Sequence, residues 1–450
     1  MADHLCVLVH GLWGNPNHLK NVAKVLREKY PEDELHILVS KRNSGSFTYD
    51  GIELGGQRVC QEIEEELKRL SESGQTVKKL SMVGYSLGGL VARYTAGLLE
   101  SRGLFDDIEA INFTTIATPH LGVRSPNRAV ISQIFNVLGP HMLSMSGTQL
   151  FMLDNFRETG RPILEVMADP NSIFITGLRR FKRHSLYANI ANDRTAPFYT
   201  TGISKIDPFV DLKAVNVGYL DGYEDVILDP TRPFSPKQKK LLTLYSKLKL
   251  DASYFFGNLH IIILLALVIP IGTLAFIINA GIQTIRSSSR IRLHESGLAG
   301  IDPNSYRTPF LTDIREAVED AYGNLNNAQN QEYLSTTPST AGSSEDESSA
   351  SGRPLMANNA AEKPSRSTTK VATAGNPKTD VSPKETPTLA LTPEQFTIIR
   401  NLESVGWRKY FVHIHKQRHS HAAIIVRKDR DDFSEGYVVL RHWLDEFLME

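Results

Sequence analysis

A short apolar run, Lys79-Leu80-Ser81-Met82-Val83, passes through Gly84-Tyr85-Ser86-Leu87-Gly88 into a helical pattern that starts at Leu90-Val91-Ala92 and continues to Leu98 and Leu99. A serine between two glycines, behind a strand and ahead of a helix, allows few folds. The serine must occupy a sharp, strained turn in which side chains on its neighbours would clash, and the turn lifts its hydroxyl above the edge of a sheet. The helix that starts there directs its positive dipole end at the same point. An ordinary strand-to-helix turn is the plain alternative. The chemistry favoured by the motif is nucleophilic attack by Ser86.

A second loop asks for the same chemistry. Leu5-Cys6-Val7-Leu8-Val9 is an apolar strand that runs directly into His10-Gly11-Leu12-Trp13-Gly14. Acyl transfer needs two backbone N–H groups aimed at the developing oxyanion, one from the residue after the nucleophile and one from an early strand-end loop. Leu87 and Leu12 are the candidate donors. His10 is expected to be a structural hydrogen-bonding residue of the loop.

Apolar runs at 5–10, 35–40, 79–85, 111–117, 184–190 and 407–413 alternate with helical patterns. That alternation implies an α/β fold with a mainly parallel sheet flanked by helices. The helix expected over 51–72 places Val59, Ile63, Leu67 and Leu70 on one face and leaves a cluster of glutamates largely in water. Thr392-Pro393 marks another helix start, with threonine as cap and proline in the first turn. Ala422–Arg427 is expected to be a strand and Val438–Leu448 a closing amphipathic helix. Fifty basic and fifty acidic residues leave no net charge, so nothing points to nucleic acid. The only two cysteines, Cys6 and Cys60, make no metal spacing and suit a reducing compartment; neither metal nor cofactor is expected. No signal peptide is visible ahead of the first strand.

Residues 261–278 contain no charged side chain, and the apolar run extends to about residue 280. This is long enough to enter or span a bilayer, although a buried core helix is the alternative. Pro270 and Gly272 stand at its midpoint, and both flanks are basic, with Lys237, Lys239, Lys240, Lys247 and Lys249 before it and Arg286, Arg290 and Arg292 after. Charge on both sides sets no orientation, and the central break permits a hairpin with both termini in the cytosol. Residues 336–390 are rich in Ser, Thr, Pro and Ala and are expected to be a disordered linker. The resulting organisation is a main hydrolase-type part over 1–256, a hydrophobic membrane segment over 257–282, a juxtamembrane helical region over 283–335, the linker, and a C-terminal part over 391–450 that completes the first.

A serine nucleophile needs a histidine to take its proton and an acid to orient that histidine, here expected in the chain order serine, acid, histidine. Asp193, in the turn after the strand 184–190, is the favoured acid, with Asp207, Asp211, Asp221 and Asp225 as competitors. His421 is the favoured base among His413, His415, His419, His421 and His442, with His419 as runner-up. The stretch 121–156, rich in Met, Leu, Ile and Phe, could wall the site for acyl chains or simply form core helices.

His10-Gly11-Leu12-Trp13-Gly14, Gly84-Tyr85-Ser86-Leu87-Gly88-Gly89, Thr118-Pro119-His120-Leu121-Gly122, Asn192-Asp193-Arg194 and His421 together resemble the serine esterases of the α/β-hydrolase superfamily, over roughly 1–230 and 391–450. With an apolar run between acid and base, the chain is similar to the fungal lipid-droplet phospholipases of that group. The resemblance implies an α/β-hydrolase fold, Ser86, Asp193 and His421 as triad, and hydrolysis of glycerophospholipid acyl esters at a lipid-droplet monolayer, or at the endoplasmic reticulum membrane, facing the cytosol. A thioesterase, a neutral-lipid lipase or a non-catalytic membrane scaffold are the other readings.

Overall fold

In the computed structural model the described residues are 2–124, 139–140, 143–193, 195–237, 278–298 and 387–450. The apolar runs form six strands of one wholly parallel sheet: β1 (His4–Val9), β2 (Leu35–Val39), β3 (Lys79–Tyr85), β4 (Glu109–Ile116), β5 (Arg183–Asn189) and β8 (Arg408–Val412), in the order β2-β1-β3-β4-β5-β8. A separate antiparallel pair, β6 (Val215–Val217) and β7 (Phe234–Pro236), has no counterpart in the sequence reading because each strand is three residues long.

Every residue of β1 is buried, as expected of a parallel strand covered on both faces. Its side chains alternate between two cores. Leu5, Val7 and Val9 join Ile52, Val59 and Ile63 of α2 (Gly51–Glu72) and Leu90 and Leu98 of α3 (Leu87–Ser101). Cys6 and Leu8 face the other way, toward Val22 and Leu26 of α1 (Lys20–Lys29) and Leu440 and Trp443 of the helix Glu435–Asp445. Both cysteines are buried and free, and burial pushes both thiols up from their ordinary range.

The chain runs from β1 out to β2 and crosses back over β1 to β3. Open α/β sheets bind ligands where the order reverses in this way, outside the carboxyl ends of the strands. The loop after β1 and the serine turn after β3 meet at that point. β8 adds its carboxyl end from the far side of the linker, paired with β5 from Ser185↔Arg408 to Asn189↔Val412. The C-terminal segment therefore completes the same sheet. Its helix Pro393–Glu403 starts with a full capping box, Thr392 accepting from the Gln395 N–H while the Gln395 side chain accepts from the Thr392 N–H.

One strand expectation is corrected. Ala422–Arg427 is not a strand: Ser420–Ala423 forms a helical turn, and Val426 has φ +50°. Ile424, Ile425 and Val426 are buried because they pack under α1, where Asn21 Nδ2 donates to the Val426 carbonyl at 2.6 Å. The closing helix runs Glu435–Asp445, three residues earlier than expected. In the 121–156 stretch, residues 125–138 and 141–142 lie outside the described residues. The helix Ser144–Leu150 and the turn after it are divided in role: Leu150 and Phe151 belong to the core, while Met145 and Leu153 are exposed. The apolar run before residue 278 and nearly all of the proposed linker also lie outside the described residues. Among the described residues no helix is long and apolar enough to cross a membrane. Residues 278–295 form one helix that runs from the last five residues of the expected membrane segment, 257–282, into the expected juxtamembrane region.

Candidate active site

Ser86 takes φ +55° and ψ −129° between β3 and α3, a conformation costly for any residue with a side chain. Its surroundings enforce the turn. A Cβ on Gly88 would stand 2.2 Å from the Val9 carbonyl oxygen, and one on Gly84 would stand 2.3 Å from the Gly89 Cα. The two glycines let α3 start against the end of β1, and this brings the loop Gly11–Gly14 over the serine.

His421 Nε2 is 2.9 Å from Ser86 Oγ, and His421 Nδ1 is 2.9 Å from Asp193 Oδ2. Asp193 is ionised and can only accept, so Nδ1 carries the imidazole proton and Nε2 is left to accept from the serine hydroxyl. Asp193 is itself held in place: Oδ1 accepts from the N–H groups of Thr195 and Ala196 at 3.0 and 2.9 Å, and Oδ2 accepts from Asn189 Nδ2 at 2.9 Å. Burial alone would raise its pKa, but His421 and these donors outweigh burial and hold the carboxyl below its usual range. The side chains of Asp193 and His421 are 2% and 10% exposed, so this hydrogen-bonded pair is shielded from water.

The competing acids lie elsewhere. Asp207 and Asp211 cap their own turns by accepting from the N–H groups of Phe209 and Lys213, and among the described residues none of Asp207, Asp211, Asp221 or Asp225 bonds a histidine. Among the histidines, His442 sits beneath the sheet against the Tyr187 hydroxyl at 2.8 Å, and His413 meets the Tyr219 hydroxyl at 2.7 Å. His415 faces Glu435, 3.2 Å away. His419 immediately precedes the helical turn that carries His421.

The loop after β1 is stapled at both ends. Gly14 N–H donates to the Gly11 carbonyl at 3.0 Å, Trp13 N–H donates to Thr48 Oγ1 at 3.0 Å, and Trp13 Nε1–H donates to the Tyr49 hydroxyl at 2.7 Å. His10 is buried, its Nδ1 donating to the Gly11 carbonyl at 3.2 Å, and burial holds its pKa down. It is a loop-forming residue, as the sequence implied. The Leu12 N–H has no backbone partner among the described residues. Leu87 is the first residue of α3, a position whose N–H has no intrahelical acceptor. Two donors are thus available beside the serine.

Two positioning contacts were invisible in the sequence. Tyr85 Oη donates to the His421 carbonyl at 2.8 Å and accepts from Arg427 Nη2 at 3.3 Å, with the ring fully buried beside the imidazole. Ser420 Oγ donates to the Ala191 carbonyl at 2.8 Å, tying the histidine turn to the aspartate turn. Tyr85 and His421 lie 336 positions apart, a pairing that no local pattern signals. His120 of the Thr118–Gly122 motif is buried against Thr115 Oγ1 at 3.0 Å and makes no contact with Ser86.

Residues 1–206 match the family described as "Putative serine esterase (DUF676)", which bears out the resemblance to serine esterases. The matched part holds Ser86 and Asp193, while the placement of His421 rests on the structure. The chain is 31% identical over 212 residues to "Putative lipase ROG1" of Saccharomyces cerevisiae, covering 45% of this chain and 29% of that protein. It is 29% identical over 211 residues to "Putative lipase C4A8.10" of Schizosaccharomyces pombe, covering 45% of this chain and 26% of that one. The chain thus spans less than a third of the length of these curated relatives. A solved structure described as the putative cell surface hydrolase from Lactobacillus plantarum WCFS1 is 11% identical at a TM-score of 0.27, over 45% of this chain and 75% of that one. The fold assignment stands on the sheet order and the serine turn.

Proposed function

We propose that this chain, whose first 206 residues match the serine esterase family, is a carboxylic ester hydrolase that cleaves acyl esters of glycerophospholipids at a lipid surface. The observation that carries the hydrolase reading is the relay Ser86 Oγ, His421 Nε2, His421 Nδ1, Asp193 Oδ2, with both hydrogen bonds at 2.9 Å. Ser86 Oγ attacks the ester carbonyl while His421 Nε2 takes its proton, and Asp193 stabilises the imidazolium. The oxyanion is received by the N–H groups of Leu12 and Leu87. Collapse of the tetrahedral intermediate passes the proton from Nε2 to the departing alcohol and leaves an acyl-serine. Water then attacks the acyl carbonyl as His421 Nε2 takes its proton, and collapse of the second tetrahedral intermediate breaks the bond to Ser86 Oγ, returns that proton to the serine and releases the fatty acid.

Three features support a lipid substrate. The curated relatives carry the name lipase. The loop over the serine and the helix that follows residue 143 expose Trp13 and Met145. The base is separated from the acid by an uncharged run at 261–278, and a run of this kind that enters a membrane must leave it on the same side for acid and base to share a compartment. A lipid-droplet monolayer or the endoplasmic reticulum membrane satisfies this condition with a hairpin. Labelling with a fluorophosphonate tests the catalytic reading: the probe should attach to Ser86 and be lost in Ser86→Ala, whereas unchanged labelling of Ser86→Ala would refute it.

A further inference from the structure

The helix 278–295 is amphipathic in the opposite sense to an ordinary surface helix. Ala280, Ser287 and His294, at spacings of seven, are its buried positions, while Ile278, Ile282 and Ile285 are 56%, 44% and 73% exposed. Residues at i, i+4 and i+7 share a face, so the three isoleucines form a stripe turned away from the protein. Leu293, 46% exposed, extends it, and Arg286 and Arg292 are exposed beside it.

Polar contacts fix the inward face. Arg290 forms a two-pronged pair with the buried carboxylate of Asp50, Nε to Oδ2 at 2.8 Å and Nη2 to Oδ1 at 2.7 Å, and its Nη2 also donates to the Ser46 carbonyl at 2.9 Å. Ser287 Oγ donates to the Tyr49 carbonyl at 3.3 Å. Arg58 shares the same Asp50 at 2.8 Å, and the Arg58 and Arg290 guanidiniums lie 5.0 and 4.9 Å from the Phe47 ring centroid. The helix is therefore docked through ions and hydroxyls, and rotation about its axis to hide the isoleucines would break this pair.

We infer that the outward face of helix 278–295 is a docking surface for an anionic phospholipid surface. Continuity and charge select lipid over a second protein. The stripe begins where the uncharged run 261–278 ends, and at about 1.5 Å rise per residue Ile285 lies roughly 10 Å along the axis from Ile278. A run that enters lipid thus brings Ile278 to the interface and leaves Ile282 and Ile285 within the depth reached by an interfacial helix. Arginines beside an apolar stripe complement anionic headgroups. The helix is pinned next to Tyr49, whose hydroxyl holds Trp13 of the loop above Ser86, so docking this face sets the orientation of the candidate site toward the lipid. This inference rests on the lipid-surface reading of the function.

Site-specific fluorescence tests it on the full chain. The two native cysteines are buried, so an environment-sensitive nitrobenzoxadiazole probe can be placed selectively on Ile282→Cys or Ile285→Cys, with Lys24→Cys on α1 as the control position. With vesicles of phosphatidylcholine and phosphatidylserine, the probes at 282 and 285 should shift to the blue and brighten several-fold, and the control should stay water-like. Arg286→Gln with Arg292→Gln should reduce the response to the level seen on pure phosphatidylcholine. Water-like emission at 282 and 285 from vesicle-bound chain overturns the inference, as does an equal shift at position 24. A shift that grows with protein concentration in the absence of vesicles would assign the face to a second copy of the chain and overturn it likewise. Hydrolysis of a water-soluble aryl ester by the same labelled chains reports on the catalytic reading separately.

Discussion

Replacing Gly11 with alanine isolates the geometry on which the candidate site depends. A methyl carbon at Gly11 would stand 2.6 Å from Ser86 Cβ, 3.0 Å from the Tyr85 carbonyl oxygen and 3.2 Å from Ser86 Oγ. Carbon atoms in contact rest at about 3.5–4.0 Å, so the loop and the serine must separate by about 1 Å. Overpacking of this kind costs about 1–3 kcal/mol of stability, a fraction of what a typical domain holds. The catalytic cost is larger, because a misplacement of about 1 Å is worth roughly 10²-fold. The Leu12 donor moves with the loop, and loss of one oxyanion donor costs about 10²–10³. Since the two losses share one displacement, kcat should fall by about 10²–10⁴ on a soluble aryl ester while thermal unfolding remains a single cooperative transition. Turnover within about threefold of the unaltered chain, with the fold intact, would refute the assignment of this loop to the oxyanion, because a donor is worth far more than that.

Asp193→Asn should keep its bonds to the Thr195 and Ala196 N–H groups but favour the wrong imidazole tautomer, lowering kcat by about 10⁴ with little change in KM; steady-state kinetics decide. Tyr85→Phe leaves the His421 carbonyl without its donor and should cost about 1–3 kcal/mol; a fall in kcat with KM unchanged would separate positioning of His421 from simple packing loss. Asp154 is half-buried, its pKa raised to about 6 by that burial in spite of the donor at the Ile163 N–H. A carboxyl held more strongly in its protonated form by the fold than by the unfolded chain costs stability as it ionises. The loss therefore begins near the unfolded value of about 3.9 and is complete above the folded value, roughly 2–3 kcal/mol in all. Asp154→Asn should flatten that decline between about pH 4 and 6, as followed by thermal unfolding across pH.

Much of this architecture could be read from the sequence because it rests on local signals. Six apolar runs became six strands of the main sheet, and Thr392-Pro393 opened a helix with a capping box. Ser86, Asp193 and His421 were legible as residue types at strand ends in a given chain order, and the structure brings those three side chains into contact. The stretch after His421 misled because a run such as Ala423-Ile424-Ile425-Val426 is equally apolar in a buried strand and in a buried turn, and periodicity cannot separate the two. What decides is the packing beneath α1 of residues some 400 positions away, down to the bond from Asn21 to Val426. Tyr85 was hidden for the same reason, since it reads as one more apolar residue of β3 until β8 delivers His421 to its hydroxyl. Nor could the outward isoleucines of helix 278–295 be recognised as a surface before the Arg290–Asp50 pair fixed which side faces the protein.

Whether Ser86 serves an acyl hydrolase acting on phospholipid is decided by substrate turnover. Purified full chain and its Ser86→Ala variant would be compared on mixed vesicles of phospholipid, on emulsified triacylglycerol and on acyl thioesters, with release of fatty acid measured by mass spectrometry. Fatty acid should be released from phospholipid by the unaltered chain, more slowly from the other two classes, and not above background with Ser86→Ala. Turnover of thioesters alone would contradict the proposed substrate, and phospholipid cleavage that survives Ser86→Ala would contradict the mechanism.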